Sequence, residues 1–352
     1  MKHFFLSMLL LSFASLTVAE ESDSLAYDIK PPVFDGKLKI KMEHDFKNGY
    51  SRMEVRNARL GLKGRVLSQV FYRMQVDLSN AGRFMPLDFY AGYEVGNFSF
   101  IAGQQSFGFS TELDKNPVEI YFSNISLLSQ YITTYPMNSR REIGAIGSRD
   151  IGAMLSYSLK DFAPVTLSAG VFNGESINTS AWGNDLNYAL RIDAGMKTGA
   201  RGAISYYGGH TPVGDDLRMV NAEFRYIAKN FGVECEYAQR YVTDSITEKL
   251  SAAFIQGYYV HDFTPNKYVH YLKPTLRYDV GNNLGMATPF GIEFTDIQRV
   301  TVGLNVGVIR QKNILGELRF NAELYFVKDK PSTYDDDASL HNKLVVEVAV
   351  SF

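Results

Sequence analysis

The stretch that most constrains this fold is the last one, Leu340 to Phe352. Leu344, Val346, Val348, Val350 and Phe352 share one parity, and Lys343, Glu347, Ala349 and Ser351 share the other. Successive strand side chains point to opposite faces, so the segment predicts a strand with one apolar and one polar face. It stops on an aromatic residue, where a water-soluble domain usually leaves a polar, frayed terminus. A strand in lipid must be paired on both edges, which a closed barrel achieves by joining its last strand to its first. The alternative for this stretch alone is the half-buried edge strand of a soluble sandwich.

The amino-terminal end predicts export. Lys2 and His3 precede an apolar run from Phe4 to Phe13, and Thr17 and Ala19 are the small residues before a cut at Glu20. Residues 1–19 therefore read as a signal peptide and 20–352 as one barrel domain. The apolar run is too short for a lasting anchor, and no later segment is apolar enough for a membrane helix. Cys235 is the single cysteine, which excludes an internal disulfide framework, and it reads as a small apolar filler. With 36 Lys and Arg against 38 Asp and Glu, the chain lacks the basic excess of a nucleic-acid binder. By contrast, 22 Tyr, 24 Phe and 29 Gly suit many strands joined by tight turns.

Alternation recurs along the chain. Leu38, Ile40 and Met42 oppose Lys37, Lys39, Lys41 and Glu43, and Lys47-Asn48-Gly49 supplies a hairpin turn. On the return strand the polar phase of Arg52, Glu54 and Arg56 gives way to Ala58, Leu60 and Leu62, predicting a bulge or strand end near Asn57. Counting similar segments to the end gives about sixteen strands, an all-β transmembrane antiparallel barrel. Connections alternate between short ones (Gly96-Asn97, Lys197-Thr198, Lys229-Asn230) and long ones (108–148, 174–185, 281–296, 328–339). Such sorting fits short turns on one side of a membrane and long outer loops on the other.

Several ordered segments resemble one family, the phosphate-selective porins O and P. They are Val55 to Gly64, Ile101 to Phe107, Arg149 to Gly152, Val171 to Gly174, Gly257 to Val260 and Arg277 to Asp279. The terminal strand likewise resembles that of bacterial outer-membrane barrels, whose final aromatic helps the assembly machinery recognise the chain. The resemblance implies a sixteen-stranded porin of the bacterial outer membrane, a homotrimer contacting lipid and lipopolysaccharide. It implies a water-filled channel for small hydrophilic solutes or anions such as phosphate, with no cofactor.

In general porins the third loop folds into the channel. Here that loop carries Glu112, Asp114, Lys115, Glu119, Arg140, Arg141 and Glu142, with Phe109, Tyr121, Phe122, Leu127, Leu128 and Tyr131 to pack it down. So long and apolar a loop should fold onto something, and the lumen is the expected place. Capping the barrel or packing on a neighbouring subunit is the alternative.

The family's arginine ladder points to lumen-facing cations on the polar parities. The candidates are Lys39, Lys41, Arg52, Arg56, Arg73, Arg191, Arg225, Arg277 and Arg299, with Arg140 and Arg141 at the constriction. Glu43, Glu54, Asp77, Asp193, Glu223, Asp279 and Glu323 share those parities, so cross-strand pairing competes with solute binding. Only a local excess near the constriction would select anions. Tyr334-Asp335-Asp336-Asp337 is either a divalent-cation site or, more simply, a solvated acidic loop. The six histidines are scattered and the chain has no HExxH, GxSxG or phosphate loop, so no enzyme is expected. A surface receptor or adhesin built on the same barrel is the alternative to a channel.

Overall fold

The computed structural model describes residues 31–352 apart from 116, 133–148, 160–163, 181, 184, 212–213, 244–247, 264–267, 290 and 312–313. The expected signal peptide, Arg140 and Arg141 lie outside the described residues.

Every described strand is antiparallel to both of its neighbours. The first half comprises β1 (Val33–Asp45), β2 (Ser51–Arg65), β3 (Val70–Asn80), β4 (Arg83–Val95), β5 (Phe98–Ser106), β6 (Arg149–Leu159), β7 (Val165–Phe172) and β8 (Asn187–Gly195). The second comprises β9 (Gly199–His210), β10 (Asp216–Ile227), β11 (Phe231–Thr243), β12 (Glu248–Tyr259), β13 (Tyr271–Thr288), β14 (Gly291–Gln311), β15 (Ile314–Lys328) and β16 (Lys343–Ser351). His261–Asp262 continues β12 along the same partner strand, so the barrel has sixteen staves. It closes by pairing β16 with β1, from Lys37 opposite Ser351 to Asp45 opposite Lys343.

The barrel is apolar outside and charged inside. Arg277, Arg299 and Arg319 are fully buried, whereas the intervening Leu276 is 57%, Val302 53% and Ile204 66% exposed. A continuous apolar exterior of this kind needs lipid, because water-soluble surfaces rarely carry such patches. On β1, Lys39 and Lys41 turn inward while Leu38, Ile40 and Met42 face out, as alternation predicts. The bulge expected near Asn57 is present: Lys39 faces Asn57 but Ile40 faces Val55, leaving Arg56 as the extra residue.

One expected long loop, 281–296, is instead a tall hairpin. β13 runs on to Thr288 and β14 starts at Gly291, so these strands have 18 and 21 residues. A lipid-facing span needs only about 9–11, so the hairpin rises well beyond the bilayer on the long-loop side. The Gly281-Asn282-Asn283 stretch, the expected start of the long loop, is a register shift inside β13, with Asn283 at φ 57. The loop between β7 and β8 folds back on β4 and β5, where Ile177 covers Leu87 and the Asn178 amide donates to Gln104 at 2.8 Å.

Candidate functional site

The third loop enters the lumen. Its described part carries two short helices, α1 (Thr111–Asp114) and α2 (Leu127–Tyr131), capped by the Ser110 and Ser126 side chains. Leu127, Leu128 and Ile132 are buried in one cluster with Leu217, Met219, Val242, Leu250, Leu284 and Met286 from β10 to β13. These wall residues occupy inward positions near the long-loop mouth, where the inner face turns from charged to apolar. Burying each large side chain contributes roughly 1.5–3 kcal/mol, enough to offset the ~1–2 kcal/mol of ordering one residue.

Below that cluster the wall grips the loop backbone. Arg319 donates to the Val118 carbonyl, Asn305 to that of Tyr121 (2.8 Å) and Arg277 to that of Asn124 (3.0 Å). Arg299 donates to the Ile125 carbonyl at 2.7 Å and Arg240 to that of Ile132 at 2.9 Å. In return the Ser123 and Leu127 amides donate to Asn321 (2.7 Å) and Asp279 (3.1 Å). A buried arginine is tolerable only when paired, and Asp279 lies 2.9 Å from Arg277 Nε and 3.0 Å from Arg299 Nε.

Pressed against β10–β15, the loop leaves a cavity of ≈ 420 Å³ on the β1–β2 side, running up to the long-loop mouth. Its lining includes nine cationic side chains: Lys39, Lys41, Arg52, Arg56, Arg59, Lys115, Arg149, Arg299 and Lys343. Among the described residues three carboxylates line it, Glu43, Glu54 and Glu112, and all three are engaged. Lys41 lies 3.0 Å from both Glu43 and Glu54, while Glu112 accepts from the Ser126 amide at 3.0 Å and Ser129 Oγ at 2.5 Å. Other partner carboxylates stand behind the lining: Glu347 behind Lys39 (3.1 Å), Asp77 behind Arg59 (3.0 Å) and Asp88 behind Arg149 (2.7 Å). The surface offered to a solute is therefore mainly one of donors.

The expected cations divide between this cavity and other tasks. Lys39, Lys41, Arg52, Arg56 and Arg299 line the cavity, and Lys41 also donates to loop residue Asn124 at 2.8 Å. Arg56, thrust in by the bulge, donates to Asn80 Oδ1, and no carboxylate among the described residues is within ion-pair distance. Arg73, Arg191, Arg225 and Arg277 do not line it. Arg73 is held by Asp35, and Arg191 by Glu223 and by the Gly108 carbonyl at the root of the loop. Arg225 lines a separate small pocket beneath α1. Arg277 is sealed under Phe122, 4.4 Å from its ring centroid. Arg191 and Arg277 are thus taken up by the loop, whereas Arg73 is tied to Asp35 across the wall itself.

Four lining cations are not among the expected pore-lining residues: Arg59, Lys115, Arg149 and Lys343. Arg59 lies past the bulge, where parity inverts; Lys115 belongs to the loop, and Arg149 and Lys343 open their strands at the mouth. At that mouth the acidic run also resolves. Asp335 pairs with Lys47 of the first outer loop, which holds the Asp335 carboxyl below the usual carboxylate range. Asp337 caps the 3-10 turn Ala338–Leu340 through the Ser339 amide (2.9 Å). No cluster of three metal-ligating side chains occurs among the described residues.

Comparison with known proteins agrees with this geometry. The family model for phosphate-selective porin O and P matches residues 33–161. No curated protein matches the chain by sequence. Among solved structures, the anion-selective porin from Comamonas acidovorans aligns with TM-score 0.61 at 12% identity, over 91% of this chain and 98% of that one. Salmonella typhi OmpF, in complex with daunomycin, aligns with TM-score 0.61 at 14% identity, over 91% and 97%. The trimer form of Vibrio cholerae OmpT aligns with TM-score 0.54 at 13% identity, over 92% and 99%. The fold is that of an outer-membrane porin, and together with the family match it points to a channel rather than an enzyme.

Proposed function

We propose that this chain is a porin of the bacterial outer membrane, a water-filled channel through which small hydrophilic solutes diffuse, anions ahead of cations. The observation that carries the anion preference is the lining of the cavity beside the third loop, where the described residues present nine cations and three engaged carboxylates at the surface and the remaining partner carboxylates stand behind them. Within a Debye length of ~8 Å such charges bias which ion enters, more strongly where low-dielectric walls focus the field. The chain assembles as a homotrimer, a reading supported by the trimer form of the similar OmpT, with lipid and lipopolysaccharide on the remaining apolar exterior. Planar-bilayer recording of the purified protein tests the proposal. Discrete openings with a reversal potential displaced toward the anion are expected; absence of steps at any voltage would remove the channel reading.

A further inference from the structure

The same cavity has two chemically different sides. From the β1–β2 wall come Lys41, Arg56 and Arg59, and from the third loop come Leu113, Pro117, Ile120 and Ile125 beside the polar Lys115, Ser123, Asn124 and Gln130. Among the loop's described acids Glu112 alone lines the cavity, and it is turned into the Ser126–Ser129 cap; Asp114 is taken by Ser106. Of the polar loop groups, Ser123 is buried, Asn124 is bonded to Lys41 and Glu43, and Lys115 is paired with Glu234. So the loop adds alkyl surface opposite a wall that presents mainly donors. At ≈ 420 Å³ the space falls within the ~300–1,000 Å³ typical of small-molecule sites.

A small inorganic oxyanion fits such a slot poorly. Its oxygens are hydrated on every side, and alkyl side chains return no hydrogen bond for the water they displace. A carboxylate on a short hydrocarbon body has the matching asymmetry, its charged end on the arginines and its chain on the loop. We propose that the channel discriminates in favour of organic anions with an apolar flank, the class of short-chain carboxylates, over inorganic phosphate. The inference rests on the porin reading and adds to it a solute class and the loop face that selects it.

The test is block of the chloride current of single channels by acetate, propionate, butyrate, hexanoate and inorganic phosphate at neutral pH. Full burial of a methylene is worth roughly fourfold in affinity, and contact on one side about twofold. The half-blocking concentration should therefore fall about twofold per methylene, with phosphate weaker than butyrate. Ile120→Asn should flatten the series while leaving the reversal potential in a KCl gradient unchanged; Leu113→Asn serves as the second variant. A flat series in the unaltered protein, or phosphate blocking more tightly than hexanoate, overturns the inference and leaves the porin standing. A slope that persists in both variants overturns the assignment to the loop face. Absence of any stepwise conductance defeats the porin reading itself.

Discussion

The ring of Phe352 lies against the α-carbon of Gly36, so close that a β-carbon there would sit 2.1 Å from the ring's Cζ. Their backbones are paired, Gly36 N donating to Phe352 O at 2.9 Å and Phe352 N to Gly36 O at 3.0 Å. The last aromatic of the chain is thus seated in a notch on the first strand, at the seam where the barrel closes.

That notch separates two roles of the terminal aromatic. Gly36→Ala should push the ring off without removing it, while deletion of Phe352 removes it altogether. Lipid competes for the ring, so the contact lacks a hydrophobic driving force and either change should alter folded stability by less than about 1 kcal/mol. Only the deletion should lower surface abundance in cells. Equal losses in both would tie delivery to the packed seam rather than to the aromatic itself.

Asp279 is the point through which two wall arginines and the Leu127 amide are joined. Asp279→Asn leaves Arg277 and Arg299 buried without their shared counter-charge, and breaking a buried pair costs about 3–5 kcal/mol. We expect a lower urea midpoint together with larger, noisier single-channel currents as the loop loosens. Unchanged currents would show that the apolar cluster around α2 holds the loop alone.

Arg56 and Arg73 both face the lumen side of the wall, but only Arg56 lines the cavity and lacks a carboxylate partner among the described residues. In water a unit charge about 6 Å from a passing ion is worth roughly 0.7 kcal/mol, or about threefold. Since the anion loses that attraction and the cation that repulsion, Arg56→Gln should lower the anion-to-cation permeability ratio by up to about tenfold, and Arg73→Gln by little. Equal effects would mean that net lumen charge matters and position does not. Changing Arg140 and Arg141 together to Gln poses the same question for residues outside the described part, with intact heat-resistant trimers as the structural control.

The Lys47–Asp335 tie between the first and last outer loops should respond to acid. The carboxyl is held below the usual carboxylate range, chiefly by the hydrogen bond from Lys47. A group depressed by folding contributes stability above its unfolded pKa and loses it as pH falls through the folded one. The small difference in heat-unfolding midpoint between the protein and Asp335→Asn should therefore be present at pH 6, shrink as the pH falls below about 4 and vanish only below the depressed folded pKa. A difference that grows on acidification would contradict this assignment.

Alternation made the strands and their facing legible, because a lipid exterior allows so few polar residues on one parity. It also marked the phase change near Asn57, open to a bulge or a strand end, which the structure resolves as a bulge at Arg56. The same rule misled at 281–296, where Gly-Asn-Asn punctuation marks a register shift within a strand that continues above the bilayer. Charge pairing was beyond it. Lys39 and Glu347 are 3.1 Å apart yet come from opposite ends of the chain, joined only by closure. Nor did parity reveal which arginines the loop would cover, since that depends on the apolar inward residues of β10–β13 where α2 lands.

The wall holds the loop largely by its carbonyls, at Val118, Tyr121, Asn124, Ile125 and Ile132. Main-chain oxygens are the same whatever side chain they carry, so this part of the grip, unlike the apolar cluster around α2, does not depend on the loop's own sequence. Substitutions at Leu113 or Ile120 can then redraw the channel's inner surface while its frame stays put. A barrel fastened this way can change what it admits over evolutionary time by small edits on one segment, without renegotiating its wall.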